Sequence, residues 1–146
     1  MRVSPTTEQL AWEPTVAHAV TSDIIWKLDV YRAALFLLHV SVRDCGEIRA
    51  AHPRDAVADQ LTRAAGSISA NLAEGYGRTT RADRVRFFNY ALGSTRECMS
   101  WYQAVSDVIP PDLVEARLEL LARIRALLLG FIRSPRERQL AQRFER

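Results

Sequence analysis

Apolar residues return every three or four positions along most of this chain, the period of a helix with one buried face. The clearest run covers residues 61–73. Leu61, Ala65, Ile68 and Leu72 share a face, and Ala64, Gly66, Ser67, Ser69, Ala70 and Ala73 flank it with small side chains. Such flanks let a second helix approach closely. Gly66 lowers helix propensity, so packing must hold this segment. Gly75 and Gly77 follow the last apolar position and are expected to close the helix in the left-handed conformation. Thr80, with Asp83 three residues on, has the spacing of a capping box and should start the next helix. That helix carries Val85, Phe88, Leu92, Thr95, Met99 and Tyr102 on one face. The short corner makes the two helices antiparallel neighbours.

The same reading extends to both sides. A first helix is expected over residues 22–49, capped by Ser22 or Asp23. Its seam is Leu28, Tyr31, Leu35, Leu38, Val42 and Cys45, broadened by Ile25, Phe36, Leu37 and Val40. A stripe that broad should touch more than one neighbour. Gly46 weakens its last turns, and His52-Pro53 marks the corner. The second helix should start near residue 54 or 55 and end at Gly75; the third should run over 81–108. Pro110-Pro111 stops the third helix, and Pro111 suits the first position of a fourth. The fourth places Leu113, Leu120, Leu121, Ile124, Leu127, Leu128 and Phe131 inside. Glu115, Arg117, Glu119, Arg123 and Arg125 fall outside, with Glu119 and Arg123 at ion-pair spacing. Gly130 and Ser134-Pro135 close it. Residues 1–21 read as a largely irregular extension that Trp12 either docks or leaves unpacked, and 134–146 as a charged tail. The expected fold is all-α, an antiparallel up-down-up-down four-helix bundle over residues 22–133.

Composition changes this picture little. The 146 residues suit one domain with a real core. A net charge of +3 is mildly basic, short of a dedicated nucleic-acid coat. No apolar run reaches a membrane span and no secretory leader stands at the start, so a cytoplasmic protein is expected. In that compartment Cys45 and Cys98 read as buried thiols.

Several blocks together resemble a known family. They are Arg63-Ala64-Ala65, Ser67-Ile68, Asn71-Leu72-Ala73-Glu74-Gly75 and Gly77-Arg78, then Arg86-Phe87, Ala91-Leu92-Gly93-Ser94 and Glu97. In order and spacing they look like the bacterial four-helix-bundle family encoded in intervening sequences of the large ribosomal RNA gene. A related branch is the accessory protein of diversity-generating retroelements. The resemblance implies a ring-like homopentamer and a partner that is RNA, DNA or a protein such as a reverse transcriptase. It marks Arg63, Asn71, Glu74, Gly75, Gly77 and Glu97 as a structural motif.

Candidate chemistry is sparse. A di-iron bundle needs Glu-x-x-His, yet Gly77 follows Glu74 at the third position and Ser100 follows Glu97. His18, His39 and His52 have no ligand spacing, so neither metal nor cofactor is expected. The run from Gly75 to Thr80 lacks the lysine and preceding strand of a phosphate loop. No catalytic residue is assigned. Glu74 and Glu97 sit among apolar neighbours, where a carboxylate needs a partner such as Arg63 or Arg78. Two arginine groups remain: Arg78, Arg81, Arg84 and Arg86 around the start of the third helix, and Arg133, Arg136, Arg138, Arg143 and Arg146 at the end of the chain. Each is either a solvated face or a set of phosphate contacts. The expected function is a non-enzymatic, self-assembling bundle protein that binds structured RNA or DNA; the alternative is a scaffold for protein partners.

Overall fold

A hydroxyl and a proline mark where the last two long helices begin. The structure, a computed structural model, describes residues 4–53 and 56–134. The Thr80 hydroxyl oxygen accepts a hydrogen bond from the Asp83 backbone N–H at 3.2 Å and opens α5, Arg81–Ala104. Pro111 is the first residue of α6, Pro111–Ile132, where its missing N–H removes no helical bond. Ahead of them lie α3, Asp29–Ala51, and α4, Val57–Tyr76. Each long helix packs on the next in sequence, and α3 closes against α6, so the four enclose one core. Among the described residues there is no strand. The all-α bundle expected from periodicity is the architecture found.

Four local readings change. First, α5 ends at Ala104 and not at 108; a turn follows, anchored by buried Val105 and Ile109. Second, no glycine among the described residues has positive φ, and Gly77 ends α4 at φ −75° and ψ −5°. Gly75 is needed for proximity instead. A Cβ there would lie 2.9 Å from both Phe87 Cβ and Phe88 Cε1, so only glycine lets the end of α4 close on α5.

Third, the core face of α3 is rotated from the expected seam toward its broadened side, where Phe36, Leu37, Val40 and Cys45 are buried as expected. Val30, Ala34, Leu37, Ser41, Asp44, Cys45 and Ile48 face the core. Tyr31, Leu35 and Leu38 are only half buried, and Val42 is 55% exposed. Polar Ser41 and Asp44 occupy two core positions, so a count of apolar residues selects the neighbouring stripe. Fourth, Arg117 and Arg123 of α6 are not outside: each is only 4% exposed.

The N-terminal segment accounts for those two arginines. It is helical where an irregular extension was expected. α1 spans Thr7–Trp12, a 3-10 turn follows over Glu13–Thr15, and α2 spans His18–Thr21. A second 3-10 turn, Ile24–Lys27, is capped by Asp23, whose carboxylate accepts from the Ile25 N–H at 3.0 Å. Asp23 is thus a cap, though of a short turn ahead of α3. Trp12 docks the segment onto its own bundle, with ring centroids 5.4 Å from Phe36, 5.6 Å from His39 and 6.3 Å from Trp26.

Candidate functional site

The corner between α4 and α5 gathers the first arginine group at one end of the bundle. Arg78 pairs with Glu74 at 2.8 Å and lies 4.7 Å from the Phe87 ring centroid. Arg86 pairs with Asp83 at 3.3 Å and lies 5.3 Å from the same ring. Arg84 donates to the Arg78 carbonyl at 2.9 Å and to the Thr79 carbonyl at 3.4 Å, tying down the corner. Arg81 donates to the Ile132 carbonyl at 3.3 Å, at the C-terminal end of α6, where a cation also meets the negative end of the helix dipole. Neither Arg81 nor Arg84 has a carboxylate partner among the described residues. Both line a cavity of about 180 Å³ whose other walls are Leu28, Tyr76, Val85, Phe88 and Phe131. Four of the five arginines assigned to the chain terminus, Arg136, Arg138, Arg143 and Arg146, lie outside the described residues, as does the expected helix start at 54 or 55.

A second cluster went unread in the sequence. Buried Asp44 accepts from Arg117 Nε at 2.8 Å and from the Tyr102 hydroxyl at 2.7 Å, with Ser41 Oγ 3.0 Å from that hydroxyl. Arg117 also reaches Glu8 at 3.4 Å, and Arg123 donates to Gln9 Oε1 at 2.7 Å. Burial alone would lower the Arg117 pKa; the hydrogen bond and charge of Asp44 outweigh it and leave Arg117 raised. Burial lowers Arg123, with Arg32 nearby acting the same way. Tyr102 is raised by burial and then by the Asp44 charge, which keeps its proton in place. The cluster joins α1, α3, α5 and α6 and has no open face for a substrate. A polar residue at a core position of α3 was the signal that a search for apolar periodicity passes over.

The remaining expected positions are at the surface. Glu74 is exposed, and Arg78 is its partner as one of the two expected arginines. Glu97 is exposed too and accepts from Trp101 Nε1 at 3.2 Å, so neither carboxylate is buried. Arg63 is exposed, and Asn71 donates to the Ser67 carbonyl at 2.8 Å within α4. Cys45 and Cys98 are both buried and unbridged. Burial raises both thiols, Cys98 to about 12, which holds them unreactive. No group of three His, Cys, Asp or Glu side chains among the described residues is placed to hold a metal ion. No helix among them is long and apolar enough to cross a membrane.

Comparison with known proteins bears on this geometry. A family model described as 23S rRNA-intervening sequence protein matches residues 27–130, which takes in α3, α4, α5 and nearly all of α6. No curated protein matches. The fold is similar to the crystal structure of a protein with unknown function from the S23 ribosomal protein family of Bacteroides thetaiotaomicron VPI-5482. The TM-score is 0.68 and the identity 22%, over 72% of this chain and 99% of that one.

Proposed function

The chain belongs to the 23S rRNA-intervening sequence protein family, and on that premise we propose a non-enzymatic interaction protein that assembles with copies of itself and holds a further macromolecule at its arginine end. The observation that carries this reading is the row Tyr31, Leu35, Leu38 and Val42 on α3, of which the bundle covers the first three only in part and leaves Val42 exposed. Scattered surface apolar residues are ordinary, whereas a contiguous row is the mark of a contact face. Light scattering on the purified protein tests it. Wild type should be oligomeric, and Leu35→Glu with Val42→Glu should give a folded monomer. A monomeric wild type at high concentration would remove the self-assembly.

Structured RNA or DNA is the first partner class. Arg81 and Arg84 begin α5, where backbone N–H groups and the helix dipole already favour phosphate. Binding should weaken with salt, and each phosphate contact removed should lessen the log–log salt slope by about 1. A labelled structured RNA followed by anisotropy at two salt concentrations, with Arg81→Ala and Arg84→Ala, is the measurement. A protein partner is the second reading, and a separate observation favours it. Arg78 and Arg86 are already neutralised by Glu74 and Asp83, which narrows the cationic face to the rim of an apolar cavity.

A further inference from the structure

We infer that the cavity bounded by α4, α5 and α6 is a recognition pocket for an acidic protein segment with one apolar anchor residue. The anchor sits between Val85, Phe88 and Phe131, and a neighbouring carboxylate meets Arg81 and Arg84. The inference rests on the partner-holding part of the function proposed above and names the partner's chemistry.

Size comes first. About 180 Å³ is room for one side chain, below the roughly 300–1,000 Å³ of clefts that enclose drug-sized ligands. The walls come second. Leu28, Val85, Phe88 and Phe131 offer no hydrogen bonds, and the polar groups are the two guanidiniums and the Tyr76 phenol. A leucine or phenylalanine side chain needs no hydrogen bond from such walls. Charge comes third. Each guanidinium has five N–H donors in a fixed fork. The carbonyl of Ile132 holds Arg81, and those of Arg78 and Thr79 hold Arg84. These contacts fix the forks without cancelling their charge and leave donors for a bidentate carboxylate. Apolar walls beside oriented cations that have no carboxylate partner among the described residues match a segment in which an apolar residue adjoins Asp or Glu. The half-exposed rings of Tyr76 and Phe131 at the mouth add area for such an anchor to cover.

The test uses the full chain and three fluorescein-labelled peptides built on one Gly/Ser background. The first carries a phenylalanine flanked by aspartates, the second has alanine for the phenylalanine, and the third has asparagines for the aspartates. Anisotropy should show saturable binding of the first and at least about tenfold weaker binding of the other two. Val85→Trp, which fills the cavity, and the surface double variant Arg81→Gln with Arg84→Gln should each weaken the first peptide by a similar factor. Circular dichroism and light scattering confirm that the variants keep the fold and assembly of wild type. If Val85→Trp does not fold, the double variant and the alanine peptide still decide. Equal binding of the phenylalanine and alanine peptides, or none at all, overturns the pocket. RNA binding that Arg81→Gln and Arg84→Gln abolish, with no peptide bound, also overturns it and leaves the nucleic-acid reading standing. A monomeric wild type that binds the first peptide as expected supports the pocket while removing the self-assembly.

Discussion

Gly75 and Gly46 are both helical glycines with opposite surroundings. A Cβ on Gly75 would press on Phe87 and Phe88, whereas Gly46 has nothing within 4 Å. Gly75→Ala should therefore destabilise by about 1–3 kcal/mol through overpacking. Gly46→Ala should stabilise by up to about 1 kcal/mol through helix propensity; urea melts of both variants check the pair. Asp44→Ala leaves the buried Arg117 guanidinium with only its longer contact to exposed Glu8 and should cost about 3–5 kcal/mol in the same assay. Cys98 gives a pH dependence. Its thiol is raised from 9.0 to about 12, so the folded state keeps a proton that the unfolded state releases. Its contribution is complete below pH 9 and falls as pH rises toward 12, by roughly 1.4 kcal/mol per unit. Cys45 and Tyr102 are shifted in the same direction, so Cys98→Ala should reduce this alkaline slope without abolishing it. At this scale legibility followed distance along the chain. Thr80 and Asp83 announce themselves because the cap is local. Asp44 and Arg117 stand 73 residues apart, and nothing in either neighbourhood names the other.

Among the helices, α5 and α3 make the contrast. The expected face of α5 is close to the observed one, since Phe88, Leu92, Thr95 and Tyr102 are buried. On α3 Leu35, Leu38 and Val42 lie beside a core face where Ala33, Ala34, Ser41 and Asp44 stand among Phe36, Leu37 and Ile48. Small residues there permit close packing, and polar ones there join the buried network; neither registers as hydrophobic. The rotation has a direct check. Leu37→Ala, like Leu92→Ala, should cost about 2–5 kcal/mol. Val42→Ala should change stability by about 0.5 kcal/mol or less where the chain is dissociated. Equal losses at 37 and 42 would return Val42 to the core, where the seam expected from the sequence puts it. The arginine corner was legible as a cluster. The cavity beneath it was not, because Leu28 ahead of α3 and Phe131 on α6 reach it from distant parts of the chain.

For the molecule as a whole, a single core and a docked N-terminal segment make one cooperative unit, and the arginine end and the α3 row lie outside that core. The segment closes over the last helix of the bundle. Glu8 and Arg117 are 109 residues apart, and Gln9 and Arg123 are 114 apart. A ribosome releases α1 well before the helix that carries those two arginines. Four helices can associate through neighbouring contacts, but the segment cannot complete its contacts until α6 has emerged. Long-range contacts of this kind form late. Gln9→Ala should therefore quicken unfolding in stopped-flow measurements and leave the refolding rate almost unchanged. Folding of this chain then ends by drawing two positive charges out of water, beneath a segment that was made long before them.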